Sequence, residues 1–399
     1  MSLEMLILGI ALALLFAKLL GCLFEKIKQP AVVGEILAGV LLGSFVLGRL
    51  SGIGFSTAGY SFCLTMPDFT SETFETFGFI GIVMLLFIAG LETDLGKFKK
   101  IGKVGASTAS CGVVLPFIFG FLVGNFFNFP FQACLAAGTI FVATSVGTTA
   151  RVLMDMHALN TDEGMTILSA AVIDDVIALV ILTIVMGVGS PQWLLIKIAV
   201  FFLIAIYFGF RIVAKLMNLG ARLTAIDPKI FVVIALVICF VFAFFAEELG
   251  IASITGAYLA GLAVGTTIHS KKIIDDVKTI GGIFFIPLFF VWVGAMMDLS
   301  IIKDIGILAA FFIPLAILGK FIGCSMGAKL GGLKAREAVV VGVGMIPRME
   351  YALIAATLAV SRGIFTGAIA HQMIGVTILL VCITTLIAPI LLKATFKPE

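Results

Sequence analysis

The stretch SAAVIDDVIAL, residues Ser169–Leu179, places two adjacent carboxylates, Asp174 and Asp175, in the middle of an apolar run from about Met165 to Met186. A run of this length is sufficient for one helix to cross a bilayer. A charged aspartate at the centre of a membrane helix costs about 2.5–3.5 kcal/mol on insertion scales, so two in succession predict a functional site. The residue type indicates a site that binds cations or protons.

The composition is that of an integral membrane protein. Hydrophobic residues make up 61% of the chain and charged residues 12%, whereas a soluble domain carries about 25% charged residues. No polar stretch is long enough to bury a core of its own, which predicts a single transmembrane domain over residues 1–399. The seven cysteines form no CxxC pair, and the three histidines lie far apart. These patterns predict no resident metal, no cofactor, no enzymatic activity and no nucleic-acid partner.

The apolar runs, separated by charged or Pro/Gly clusters, predict an all-α fold of thirteen transmembrane helices. Their approximate limits are 3–24, 31–49, 76–93, 104–124, 130–154, 163–188, 191–213, 228–248, 253–268, 280–298, 304–328, 336–361 and 367–392. With this count, loops on one side carry eighteen Lys or Arg residues and loops on the other carry three. The positive-inside rule then predicts a multi-pass plasma-membrane protein whose N-terminus lies outside and whose C-terminus lies in the cytoplasm.

An internal repeat divides these spans. Span two contains EILAGVLLG (35–43) and span nine contains AYLAGLAVG (257–265), which share a small-residue pattern suited to close helix packing. The next spans also match, as LFIAGLETDL (86–95) and FVWVGAMMDL (290–299). Repeat one therefore runs from about 3 to 188 and repeat two from about 228 to 392, with a linker helix at about 191–213. Seven spans separate the partners, an odd number, so the repeats are inverted, as in many secondary transporters.

Transporters with inverted repeats use discontinuous helices in matching positions of the two halves. Span five contains the polar segment ATSVGTTA (143–150), and its repeat partner, span twelve, contains GVGMIPRME (342–350). Pro347 lacks an N–H group and disturbs a helix, and the glycines before it permit unwinding. Both segments are predicted to break, which makes the oxygens of Thr144 and Ser145 candidate ion ligands. The alternative for span five is an ordinary Thr/Ser helix–helix contact.

Neighbouring residues on a helix point about 100° apart, so Asp174 and Asp175 cannot both face one partner. The best basic partner is Lys320, central in span eleven, because a buried lysine responds strongly to a carboxylate. Carboxylate, backbone and threonine oxygens suit Na⁺ or Li⁺. If the carboxylates hold either protons or a metal cation, alternating access produces exchange. The alternative for Lys320 is a structural counter-ion that never titrates.

Three further charges lie within or near the spans. Arg348 and Glu350 flank the break in span twelve, where a structural charge network is favoured over a role as ligands of the transported ion. Glu35 lies near the cytoplasmic end of span two, and both a snorkelling or capping role and a place in an ion funnel are open for it.

Together these residues resemble the monovalent cation/proton antiporters, specifically the NapA- and NhaA-like sodium/proton exchangers. The resemblance covers essentially the whole chain and rests on QPAVVGE (29–35), the segment 143–150, the Asp174–Asp175 pair and Lys320. It implies an NhaA-like fold with crossed discontinuous helices. It also implies a homodimer in which a core domain moves in elevator fashion against a dimerisation domain.

The same resemblance assigns roles to the charges. Asp175 would be the principal carrier of ion and proton, and Asp174 would pair with Lys320 and release it when sodium binds. Family members with this trio are usually electrogenic. Kef-type relatives usually carry Gln-Asp in place of Asp-Asp, and related exchangers often carry Arg-Gly-Glu where this chain has Met349 between Arg348 and Glu350.

The principal hypothesis is therefore a secondary antiporter that exchanges Na⁺ or Li⁺ for H⁺ in a lipid bilayer. An alternative with the same fold is K⁺/H⁺ exchange. An intramembrane aspartyl protease is disfavoured because that chemistry needs aspartates on separate helices. A channel or a transport-inactive sensor is the remaining alternative, and the intact acidic pair and Lys320 argue against the sensor.

Overall fold

The computed structural model describes residues 2–43, 46–51, 54–57, 60–63, 66–142, 144–187, 189–223, 229–267, 270–297 and 302–396. Sixteen α-helices are assigned in these ranges: α1 Leu3–Lys26, α2 Ala31–Leu42, α3 Glu72–Glu92, α4 Leu95–Phe126, α5 Phe131–Val142, α6 Val146–Asp155, α7 Asp162–Met186, α8 Pro191–Leu223, α9 Ile230–Glu248, α10 Ser253–Gly265, α11 Ser270–Ile280, α12 Ile286–Ala295, α13 Ile302–Leu330, α14 Ala335–Gly344, α15 Glu350–Ser361 and α16 Gly367–Thr395. A π-helical turn, Gly281–Phe285, joins α11 to α12.

The helices have the length and composition of a multi-pass membrane protein. Within the described part of the chain, nine helices are long and apolar enough to cross a bilayer, and further apolar helices of 10–17 residues accompany them. Large apolar side chains such as Leu15, Leu203 and Phe244 remain more than half exposed, which is typical of surfaces that face lipid. The predicted helical membrane fold is thus confirmed.

Two details of the prediction need correction. α2 ends at Leu42, well before the predicted limit of 49, and the segment after it contains a 3₁₀ turn and a β-hairpin. The hairpin pairs Gly54–Thr57 with Tyr60–Cys63 in antiparallel register. Its alternation of polar and apolar residues is a two-residue period, which a search for long apolar runs overlooks. The predicted limits at 188, 228, 268 and 298, together with Ala143, lie outside the described residues.

One compact unit contains Met1–Ile82 and Ile280–Lys303. In it, α1 and α12 both pack on α2. The closest approach joins Gly39 of α2 to Gly294 of α12, because a Cβ on either glycine would overlap the backbone of the facing helix. Phe69, Phe74 and Leu288 are buried in the apolar core of this unit.

The second compact unit contains Val83–Thr279 and Asp304–Glu399. Here α4 packs against both α5 and α7, while α8, α9 and α10 pack together. The end of α3 contacts α10 at Gly90 and Gly261, where a Cβ on either glycine would overlap the backbone of the partner helix. α13 approaches α4 in the same way, with Gly323 against the carbonyl of Cys111.

Two helices of this second unit are interrupted at the segments that the sequence singles out. α5 ends at Val142 and α6 begins at Val146, while α14 ends at Gly344 and α15 begins at Glu350. The two interruptions contact each other, since the Ser145 N–H donates to the Pro347 carbonyl at 2.8 Å. The Thr149 hydroxyl donates to the Gly344 carbonyl at 2.6 Å. Backbone groups released by one break are therefore bonded by residues of the other.

Candidate ion-binding site

α7 holds the two aspartates deep inside the second unit. The Thr161 side chain caps the start of α7 by accepting a hydrogen bond from the Gly164 N–H, and Gly187 ends the helix in the left-handed conformation with φ of 64°. Asp174 is 0% exposed and Asp175 is 5% exposed. Because the two residues are adjacent on a helix, their carboxylates reach different neighbours.

Asp174 forms a fully buried ion pair. Its Oδ1 lies 2.7 Å from Nζ of Lys320, and both side chains are 0% exposed. The same ammonium donates a second hydrogen bond, at 2.9 Å, to the Val142 carbonyl. A buried pair offsets the cost of desolvation only when its geometry is good and further hydrogen bonds satisfy the charges. Lys320 has a carboxylate and a carbonyl as acceptors, whereas Oδ2 of Asp174 has no hydrogen-bond partner among the described residues, so the pair is satisfied on the lysine side only.

A second buried cation lies at the same end of α5. Arg348 is 0% exposed, and its Nη1 donates to the Val142 carbonyl at 3.1 Å. Its Nη2 donates to the Ala316 carbonyl at 3.3 Å. Val142 is the last residue of α5, where carbonyls lack helical partners and the helix dipole is negative. Lys320 and Arg348 together therefore stabilise the end of a helix that stops inside the protein.

The predicted ligands Thr144 and Ser145 have protein partners at the crossing. The Ser145 hydroxyl donates to the sulfur of Met349 at 2.9 Å, and the Thr148 hydroxyl lies 3.7 Å from the same sulfur. The Thr144 hydroxyl contacts the Val142 carbonyl at 3.4 Å. Met349, which replaces the glycine expected from the resemblance, thus fills the crossing and accepts from its hydroxyls.

The remaining predicted charges are placed as follows. The side chain of Glu350 lies outside the described part of the chain. Glu35 belongs to the other compact unit, in the interior of α2, and is 6% exposed. The cap of α2 is Pro30, with no side-chain hydrogen bond. The snorkelling or capping role and the place in an ion funnel both stay predictions for Glu35, whose side chain is buried.

Asp175 lines a small cavity between α3, α6, α7 and α10. The other lining residues are Leu86, Val146, Leu168, Val172, Ile254, Thr255 and Tyr258. The cavity has a free volume of about 10 Å³. This volume is close to the minimum that one bound water needs. Oδ2 of Asp175 accepts a hydrogen bond from the Thr255 hydroxyl at 3.3 Å. The space is thus sized for one small occupant beside a carboxylate.

Sequence reasoning missed Thr255, Tyr258 and the Val142 carbonyl. The internal repeat contains a signal for Thr255. When the two L-A-G segments are aligned, Thr255 of repeat two matches Val33 of repeat one, so a hydroxyl replaces an apolar side chain at this position. The Val142 carbonyl has no such signal, because a backbone acceptor is revealed only by the place where the helix stops.

The chain is similar to known proteins over almost its whole length. The family model described as "Sodium/hydrogen exchanger, transmembrane" matches residues 11–397. The Na(+)/H(+)-K(+) antiporter GerN of Bacillus cereus is 33% identical over 393 residues, which cover 97% of this chain and 95% of the relative. The Na(+)/H(+) antiporter of Enterococcus hirae is 32% identical over 394 residues, which cover 96% of this chain and 97% of the relative.

A solved structure shares the fold. The sodium proton antiporter MjNhaP1 from Methanocaldococcus jannaschii matches with a TM-score of 0.65 and 20% identity, covering 99% of this chain and 97% of that one. At this level of identity the match establishes the architecture of the chain.

Proposed function

Because the chain belongs to the sodium/hydrogen exchanger family, we propose that it is a secondary antiporter that exchanges Na⁺ or Li⁺ for H⁺ across the membrane. The observation that carries this proposal is the placement of Asp175, a nearly buried carboxylate that lines a cavity with room for one small occupant. Ionisable residues inside a membrane mark ion paths and proton relays. The cited relatives from Bacillus cereus and Enterococcus hirae are named as sodium/proton antiporters.

The coupling follows from competition at the acidic pair. A carboxylate binds either a proton or a hard monovalent cation through the same oxygens, so occupancy by one excludes the other. Asp175 is the principal carrier in this scheme. Asp174 contributes when it releases Lys320 during sodium binding, and a Lys320 that takes up and releases its proton in the cycle makes the exchange electrogenic. Thr144 and Ser145 complete the oxygen ligands after their hydroxyls leave Val142 and Met349.

Alternating access requires a fold that has two arrangements of similar energy. An inverted repeat is a fold of this kind. We propose thirteen spans in two inverted repeats, about 3–188 and 228–392, with a linker at about 191–213. The close glycine contacts support this symmetry. Gly39 aligns with Gly261 and Gly90 aligns with Gly294, so the contact of Gly39 with Gly294 has the contact of Gly261 with Gly90 as its counterpart.

The surroundings of the protein follow from the same proposal. The asymmetry of the loop charges supports an orientation in the plasma membrane with the N-terminus outside and the C-terminus in the cytoplasm. A homodimer with a moving core is the assembly that the family resemblance implies. Arg348 serves the structure of the crossing rather than the transported ion, a role supported by its hydrogen bonds to carbonyls at α5 and α13. For Glu350 the same structural role rests on the sequence.

A second candidate is K⁺/H⁺ exchange by the same fold. It is favoured by the name of the relative from Bacillus cereus, a Na(+)/H(+)-K(+) antiporter. Purified protein in liposomes decides between the two: proton flux is measured against Na⁺, Li⁺ and K⁺ in turn with a fluorescent pH indicator. We expect flux with Na⁺ and Li⁺. Flux with K⁺ alone would establish the second candidate, and flux with none of the three would overturn the proposal.

A further inference from the structure

α10 carries the residue that faces the carrier carboxylate, and its first turn is firmly held. The Glu247 carboxylate, at the end of α9, accepts hydrogen bonds from the Ser253 N–H at 3.2 Å and from the Ser253 hydroxyl at 2.7 Å. A carboxylate that accepts from the first N–H groups of a helix acts as its cap and stabilises the positive end of the dipole. Thr255 lies two residues further along and is 2% exposed.

Close glycine contacts fix α10 from two sides. A Cβ on Gly256 would overlap the Phe242 carbonyl of α9, and a Cβ on Gly261 would overlap the Phe87 carbonyl of α3. Backbone contacts of this kind leave a helix little freedom to slide or rotate. The position of the Thr255 hydroxyl relative to Asp175 is therefore set by the packing of α10 rather than by a flexible loop.

The cavity has few polar groups from which a cation could take ligands. Of its eight lining residues, three have polar side chains: Asp175, Thr255 and Tyr258. The Tyr258 hydroxyl donates to the hydroxyl of Thr93 at 3.4 Å, which turns it toward the end of α3. Thr255 is then the neutral side-chain oxygen placed beside the carboxylate, at 3.3 Å from Oδ2.

We propose that Thr255 is a cation-binding residue of this site, a role that rests on the antiport function proposed above. A hydroxyl has one donor hydrogen and two acceptor lone pairs, so it serves each state of the cycle differently. It donates to the ionised, empty Asp175, accepts from Asp175 when that group is protonated, and offers a lone pair to Na⁺ or Li⁺ when the cation enters. Thr255 thereby replaces part of the hydration shell that the cation loses.

The test compares Thr255→Val, which keeps the shape and removes the hydroxyl, with Thr255→Ser, which keeps the hydroxyl. Thr377→Val is the matched control, because the Thr377 hydroxyl is equally buried and bonds within its own helix to Met373. Loss of one such interaction is expected to raise the apparent KM for Na⁺ about 3- to 10-fold. We expect the maximal rate of Thr255→Val to change less than the KM, and Thr255→Ser and Thr377→Val to keep the KM of the unmodified protein.

A binding measurement separates coordination from a purely structural role. A cation that binds the folded protein stabilises it against heat by RT ln(1 + [ion]/Kd), so weaker binding needs a higher ion concentration for the same stabilisation. The concentration of Na⁺ that produces a given rise in Tm should increase in Thr255→Val by the same factor as the KM. If Thr255→Val does not fold, Thr255→Ala removes the same hydroxyl from a smaller side chain and must show the same increase.

The outcomes distinguish the two proposals. Exchange by the unmodified protein, with an unchanged KM and unchanged Na⁺ stabilisation in the variants that lack the hydroxyl, overturns the role of Thr255 and leaves the antiport function intact. An unmodified protein that shows no cation-dependent proton flux and no cation-dependent stabilisation overturns both. A rise in KM for Thr377→Val equal to that for Thr255→Val also overturns the role, because it makes the effect a general one of losing a buried hydroxyl.

Discussion

Replacing Lys320 by glutamine tests the buried ion pair directly. The substitution removes the ammonium that contacts Asp174 at 2.7 Å and the Val142 carbonyl at 2.9 Å, in a place where both side chains are fully buried. Asp174 then keeps its burial but loses the one cation that forms an ion pair with it among the described residues. Removing one partner of a buried pair costs about 3–5 kcal/mol.

The matched control is Lys278→Gln. Lys278 forms an ion pair with Glu92, but its side chain is 39% exposed. Exposed pairs contribute about 0–1 kcal/mol to the free energy of unfolding, whereas breaking the buried pair costs about 3–5 kcal/mol. Lys278→Gln should therefore cost at least about 2 kcal/mol less than Lys320→Gln. The contrast isolates burial from the chemistry of the substitution.

Asp174→Asn provides the third corner of a double-mutant cycle. The variant with both changes places two neutral amides where the ion pair was, so it should be more stable than the sum of the single losses by about 0.5–3 kcal/mol. The free energy of unfolding is measured for purified protein in mixed detergent. Equal losses for Lys320→Gln and Lys278→Gln would refute the reasoning that burial makes the Asp174–Lys320 pair sensitive.

The same variants address the proposed titration of Lys320. If Lys320 takes part in coupling, Lys320→Gln that still transports should move less charge per cycle on solid-supported membranes. If the current per transported ion is unchanged, Lys320 is the structural counter-ion that the sequence left as the alternative.

Three further predictions concern the carrier, the packing and the competition. Asp175→Asn should abolish sodium-dependent proton flux in liposomes, whereas Asp162→Asn, at the exposed start of the same helix, should leave it intact; full activity of Asp175→Asn would rule out its carrier role. Gly261→Ala should lower the free energy of unfolding by about 1–3 kcal/mol because its Cβ overlaps backbone, while Gly102→Ala, which meets nothing within 4 Å, should not. Lowering the pH by one unit should raise the apparent KM for Na⁺ up to about tenfold if one proton competes for one site, and a KM independent of pH would contradict competition.

Local chemistry made much of the fold predictable. The apolar runs became helices, and the segments with polar residues or Pro347 became interruptions, because each signal is carried by consecutive residues. The resemblance to sodium/proton antiporters is confirmed as membership of the family. The hairpin between Gly54 and Cys63 was missed because its period is two residues and its strands are short.

The site was harder to predict because its contacts join distant parts of the chain. Asp174 and Lys320 are 146 positions apart, and their pairing was suggested by the central position of Lys320 in its span and by the resemblance. Ser145 was predicted as an ion ligand from its residue type, but its hydroxyl bonds to Met349 across the crossing. Nothing in the local sequence indicates that α10 packs so that Thr255 faces Asp175.

Charge balance links this geometry to the class of ion. Asp174 and Lys320 form a pair whose net charge is zero, and among the eight residues that line the cavity Asp175 is the charged one. A proton or a monovalent cation makes that carboxylate neutral, whereas a divalent cation would leave an excess positive charge among apolar walls, where uncompensated charge is strongly disfavoured. Asp175 itself is thus neutralised by either a proton or a monovalent cation. The arrangement therefore favours exchange between them over uptake of a divalent ion.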